Sequence, residues 1–131
     1  MPQIFDDVQI TGSQNAGGVK RKTRIITANL TLTAADSGVI LICNAADLVI
    51  TLPSTADGLM FTVVCAALSS GTGLSFSPAA ADNINEGTAN KDLINTGATD
   101  VLGDSITLIG TGVAAQAWYT IGKIGIWAAE S

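Results

Sequence analysis

Ile26-Thr27-Ala28-Asn29-Leu30-Thr31-Leu32-Thr33 places Leu30 and Leu32 on one side of an extended chain and Asn29, Thr31 and Thr33 on the other. That period of two is the pattern of a strand with one wet face. Leu48-Val49-Ile50-Thr51-Leu52 repeats it. Two further runs, Val39-Ile40-Leu41-Ile42-Cys43 and Leu59-Met60-Phe61-Thr62-Val63-Val64-Cys65, are almost continuously apolar. Such strands belong where both faces are covered. In a sandwich this small, the second cover is expected from a neighbouring subunit.

Working outward from these runs, short segments rich in Val, Ile, Leu and Thr recur from Thr23 onward, separated by turn residues about every eight to twelve positions. Expected strands cover 24–33, 38–43, 47–52, 59–68, 73–77, 92–95, 105–110, 115–121 and 124–128. Between them lie clusters such as Pro53-Ser54-Thr55-Ala56-Asp57-Gly58 and Ser69-Ser70-Gly71-Thr72-Gly73. Their residues supply positive φ, fixed φ or side-chain capping. The expected fold is all-β, a sandwich or barrel over residues 25–131. Residues 1–24 contain Gly12-Ser13-Gln14-Asn15-Ala16-Gly17-Gly18 and show no sustained periodicity, so they are expected to form a flexible or extended N-terminal arm.

The chain has 131 residues, of which 47% are hydrophobic and 13% charged. An average globular domain carries about 25% charged residues. A surface this neutral, with strand edges, is expected to lie against other protein chains. The net charge of −5 is unevenly spread. Residues 1–24 hold four bases and two acids, and residues 25–131 hold two bases and nine acids. An acidic body repels phosphate, so nucleic acid is not an expected partner. The basic cluster Lys20, Arg21, Lys22 and Arg24 suits docking on an acidic protein surface. No stretch reaches the ~18 apolar residues of a membrane span. Asp6 and Asp7 stand where a secretory leader needs a basic and then apolar start, so folding in a cytoplasm is expected. Cys43 and Cys65, each inside an apolar run, read as reduced core thiols.

There is no histidine. This removes Ser/His/Asp and Cys/His catalysis together with histidine metal sites. Asp100 with Asp104 and Asp82 with Glu86 are close in sequence, but each pair sits among turn residues, where acids cap turns. Asp82-Asn83-Ile84-Asn85-Glu86-Gly87 fails as a calcium loop because Ile84 stands where an oxygen ligand is required. No catalytic residue, metal site or cofactor is expected, and the chain reads as a non-enzyme. Trp118, Tyr119 and Trp127 read as anchors in the core or at a subunit interface, where large aromatics bury much area. The competing reading makes them a sugar-stacking platform, with Gln116 and Tyr119 supplying polar contacts.

One succession adds to this: Leu30-Thr31-Leu32-Thr33-Ala34-Ala35-Asp36-Ser37-Gly38, then Ile50-Thr51-Leu52-Pro53, Gly58-Leu59-Met60-Phe61-Thr62-Val63, Asp82-Asn83-Ile84, and Gly103-Asp104-Ser105-Ile106-Thr107-Leu108 leading to Trp118-Tyr119-Thr120-Ile121-Gly122. It resembles the small β-sandwich proteins of tailed-bacteriophage virions, particularly capsid decoration (cement) proteins, with related modules in tail fibres. The resemblance covers residues 27–127. It implies a jelly-roll-like homotrimer on the outer surface of the head, folded in the bacterial host cytoplasm, with amino-terminal arms reaching across neighbouring capsomers. The major capsid protein would be the partner and capsid stabilisation the role. The alternative it implies is a carbohydrate- or receptor-binding module of a tail fibre.

Overall fold

The computed structural model describes residues 20–131. Among them, ten strands build two five-stranded sheets that face each other across one core. They are β1 (Thr23–Ile26), β2 (Leu30–Thr31), β3 (Ile40–Cys43), β4 (Val49–Thr51), β5 (Met60–Cys65), β6 (Gly73–Ser77), β7 (Leu93–Thr96), β8 (Ser105–Gly110), β9 (Trp118–Ile124) and β10 (Trp127–Ala129). The first sheet has the order β9-β8-β5-β3-β1 and the second β10-β7-β6-β4-β2. The all-β sandwich expected from the sequence is the observed architecture. Among the described residues no helix is long and apolar enough to cross a membrane.

The chain winds between the sheets. β1, β3 and β5 stack in parallel in the first, and β2, β4 and β6 stack in parallel in the second. Parallel neighbours need a crossover connection, most often a helix. Here each crossover is a strand of the opposite sheet. The last four strands fold back instead. β8 runs antiparallel to β5 and β7 antiparallel to β6, while β9 and β10 add antiparallel edges. A bulge between Thr120 and Gly122 interrupts the β8–β9 ladder.

The expected strand over 24–33 is two strands, because the chain crosses between sheets at 27–29 while the apolar alternation continues through the corner. Asn29 stitches that corner by accepting the Val49 N–H through Oδ1 at 2.9 Å. The strand expected at 115–121 starts three residues later, because Ala114–Gln116 form a 3-10 turn. A second such turn, Ala34–Asp36, is closed by a capping box in which the Asp36 carboxylate accepts the Thr33 N–H at 2.9 Å. Here Asp at the third position does the work that Glu or Gln does in the usual box.

Inward-facing residues alternate as the pattern requires. Leu41, Phe61, Val63, Ile106 and Leu108 of the first sheet and Ile50 and Phe76 of the second are all fully buried. Phe61 packs against the Trp118 ring at 5.9 Å between centroids, tilted by 48°. Cys43 and Cys65 are register partners on β3 and β5, both reduced and buried. Burial pushes the Cys43 thiol up to about 12, which keeps it protonated and inert.

Two glycines are fixed by backbone geometry. Gly73 has φ +122°, and a Cβ there would overlap the Asn95 carbonyl. Gly125 has φ +94°, and its Cβ would meet the Asp104 carboxylate. The loop before β6 is pinned by Asp47, itself at φ 56°. Its Oδ1 accepts the N–H groups of Gly73 at 2.9 Å and Gly71 at 3.2 Å, and its Oδ2 accepts the Ser70 hydroxyl at 3.2 Å.

Phe61→Ala removes the largest side chain of β5 from the core and should lower stability by about 3–5 kcal/mol. Urea unfolding reads this as a lower midpoint at unchanged slope. For Asp47, partial desolvation raises the carboxyl pKa, but the hydrogen bonds from Gly73, Gly71 and Ser70 outweigh it and hold the pKa below the ordinary 3.8. A depressed folded value gives stability that is complete above the unfolded value and fades as pH falls through the folded one. The midpoint difference between the wild type and Asp47→Asn should therefore be constant near neutrality and shrink below about pH 4.

Candidate functional site

The basic cluster enters the fold at the first-sheet edge, and alternation along the chain divides it. Arg21 lies against the body. Its Nε donates to the Gly38 carbonyl at 3.0 Å, and its Nη2 to the Thr62 hydroxyl at 3.0 Å. Arg24, on β1, faces the 3-10 turn and pairs with the Asp36 carboxylate at 3.8 Å. Lys20 and Lys22 are exposed. Lys22 and Arg24 share a shallow cleft of about 140 Å³ with Ala35, Asp36, Ser37 and Val39. The four bases thus do not form one patch. Two clamp the start of β1 to the sheet, and two lysines face solvent where residues 1–19 join. The arm expected over 1–24 lies mostly outside the described residues. Within them, its last residues are docked, and β1 already begins at Thr23.

The aromatic residues divide as well. Trp118 is fully buried and offers no ring face to a sugar. Its indole N–H finds no acceptor among the described residues. Trp127 is buried and donates from Nε1 to the Ile124 carbonyl at 3.0 Å. Both tryptophans are core anchors of the closing strands. Tyr119 is half-buried, and its hydroxyl donates to the Glu86 carboxylate at 2.7 Å.

Glu86 belongs to a loop that lies along β9. Asn85 donates its N–H to the Trp118 carbonyl at 2.7 Å, accepts the Thr120 N–H through Oδ1 at 2.9 Å and donates from Nδ2 to the Thr120 hydroxyl at 2.9 Å. Asn85 and Glu86 both have positive φ, 54° and 59°. That left-handed pair is what turns Glu86 toward Tyr119, and it is tolerated because four bonds fix it. The other acids weighed in sequence also hold loops in place. The Asp82 carboxylate accepts the Thr55 N–H at 2.8 Å and Asp100 the Ser69 N–H at 2.8 Å. Buried Asp104 accepts the Val101 N–H at 3.0 Å and the Asn95 amide at 3.0 Å. Among the described residues, no three His, Cys, Asp or Glu side chains converge as metal ligands.

A feature that the sequence announced only by its continuous apolar runs is the outer face of the first sheet. Ladder pairing aligns Ile25, Ile42, Val64, Ser105 and Ile124 in one row across all five strands. Its ends are open, with Ile25 72% and Ile124 63% exposed. Arg21 lies across the neighbouring row, where Thr62 and Thr107 share a 2.7 Å hydroxyl contact. No protein-family model matches the chain, and no curated protein does.

The Glu86 carboxylate, hydrogen-bonded to the phenol, raises the Tyr119 pKa above its ordinary value. Tyr119 is the one tyrosine in the chain, so an ultraviolet titration reads it alone. The midpoint should lie above about 10 and fall back toward it in Glu86→Gln.

Proposed function

We propose that this chain is a non-enzymatic structural protein of a tailed-phage virion that binds the outer surface of the head and stabilises it by bridging neighbouring capsomers. The observation that carries its assembly part, association with further protein chains, is the largely apolar outer face of the first sheet in a chain of otherwise acidic body. Such a face belongs against protein. The sequence succession from Leu30 to Gly122 resembles that of phage-head decoration proteins. The partners would be the major capsid protein and further copies of the chain, as a homotrimer.

Carboxylates occupied in bracing loops support a structural role. Lys20 and Lys22 stand exposed at the first described residues of the chain. In this role they would steer the amino-terminal segment onto an acidic capsid surface. Each contact is weak, and a multivalent array of them on one lattice gives tight binding without a strong single site. The fibre-module reading, with sugar as ligand, rests on the Tyr119–Glu86 shelf alone, since Trp118 is enclosed.

Charge reversal tests the head-binding reading better than truncation, because removing residues 1–24 would take away Arg21, Arg24 and half of β1. Lys20→Glu/Lys22→Glu should leave thermal unfolding unchanged and weaken co-sedimentation with undecorated phage heads by about tenfold or more, with the wild type showing the steeper salt dependence. Equal binding by both proteins would remove the lysines from the interface. No binding by the wild type, with a hit on a glycan array, would favour the fibre module.

A further inference from the structure

We infer that the Ile25-Ile42-Val64-Ser105-Ile124 row is the surface through which copies of this chain associate. The inference rests on the self-association part of the reading above and assigns it to one face.

The row crosses the whole sheet, four strand spacings or about 19 Å. No charged residue stands in it. Next to it, Thr23, Ile40, Thr62 and Thr107 continue the face with methyl and hydroxyl groups, and the one guanidinium laid there, Arg21, is already bonded to Gly38 and Thr62. A partner for the row itself therefore needs an uncharged apolar surface of its own, while Arg21 keeps its positive charge beside it. An acidic capsid surface is a poor match, and so is a sugar or a phosphate. Another copy of the same row is a good one.

Exposure agrees with that occupant, and the flat area falls somewhat short of it before side-chain relief and the flanking turn are counted. The five strands hold four to seven residues each, which gives a face on the order of 24 Å by 18 Å, roughly 430 Å². A small specific interface takes about 600 Å² from each partner. The turn at Val101–Asp104 closes on Cys65 at the same end of the sheet, through Gly103 N–H to the Cys65 carbonyl at 2.8 Å and Cys65 N–H to the Asp104 carbonyl at 2.7 Å. It carries Val101 and Leu102, 61% and 60% exposed, and so extends the apolar area there. The row's most exposed members are its two ends, on opposite edges of the sheet.

Light scattering after size exclusion tests the assignment on the full chain. The wild type should elute as a small whole-number multiple of 13.3 kDa. Ile25→Asp/Ile124→Asp should elute at the single-chain mass with unchanged circular dichroism, and Ile25→Asp alone should dissociate at a concentration above that of the wild type and below that of the double variant. Val113→Asp, at a position 53% exposed and outside the row, should keep the wild-type mass. A monomeric wild type, or a double variant that keeps the assembled mass, overturns the inference. An assembled wild type that ignores phage heads removes the head-binding reading and leaves this one standing.

Discussion

Neither sheet of this sandwich can form without the other. β1 reaches its parallel neighbour β3 only through β2, and β3 reaches β5 only through β4, so each ladder of one sheet is closed by a strand of the opposite one. The core between them is consequently assembled one winding at a time, with Leu41, Ile50, Phe61 and Phe76 meeting as successive turns stack. Contacts of this kind are distant in sequence, which makes folding of such a sandwich slow compared with a helical chain of equal length. The four antiparallel strands then seal the stack, and Trp118, buried against Phe61, opens β9 among them.

The winding also explains how loops so rich in Asp, Asn, Gly and Ser hold still. Each corner must return the chain to a fixed register, and polar side chains do this by accepting N–H groups. Asn29 fixes the first corner, Asp47 the loop ahead of β6, Asp82 the approach to Thr55, and Asp104 with Asn95 the turn ahead of β8. The acids of this protein are spent mostly on its own backbone. The broad outer face of the first sheet is left mainly to Ile, Val, Thr and Ser, with Arg21 laid across one row.

Much of this was legible in the sequence. The segments 73–77 and 105–110 coincide with β6 and β8, because a clear apolar run bounded by turn residues leaves one place for a strand. The continuous apolar runs at 39–43 and 59–65 correspond to β3 and β5, whose outward residues Ile42 and Val64 stand in the exposed row. Pairing was not legible. A period of two tells which side a residue faces and nothing about which strand lies beside it, so the parallel stacking and the split of 24–33 into β1 and β2 needed the structure. The basic cluster misled for the same reason. Four bases adjacent in sequence look like one patch, yet along an extended chain Arg21 and Arg24 face opposite ways and each finds its own partner. The Tyr119–Glu86 pair left no local signal, since its members are joined only by a loop laid along β9.

If copies of this chain associate through the first sheet, its outer row is covered in the assembled protein. Hydroxyl-radical footprinting of the wild type in solution measures that directly, with Val113, 53% exposed, as an internal reference of similar chemistry. Protection of Ile25 and Ile124 below Val113, although both are the more exposed in the single chain, is the predicted result. Labelling of both residues at least as fast as Val113 would contradict it.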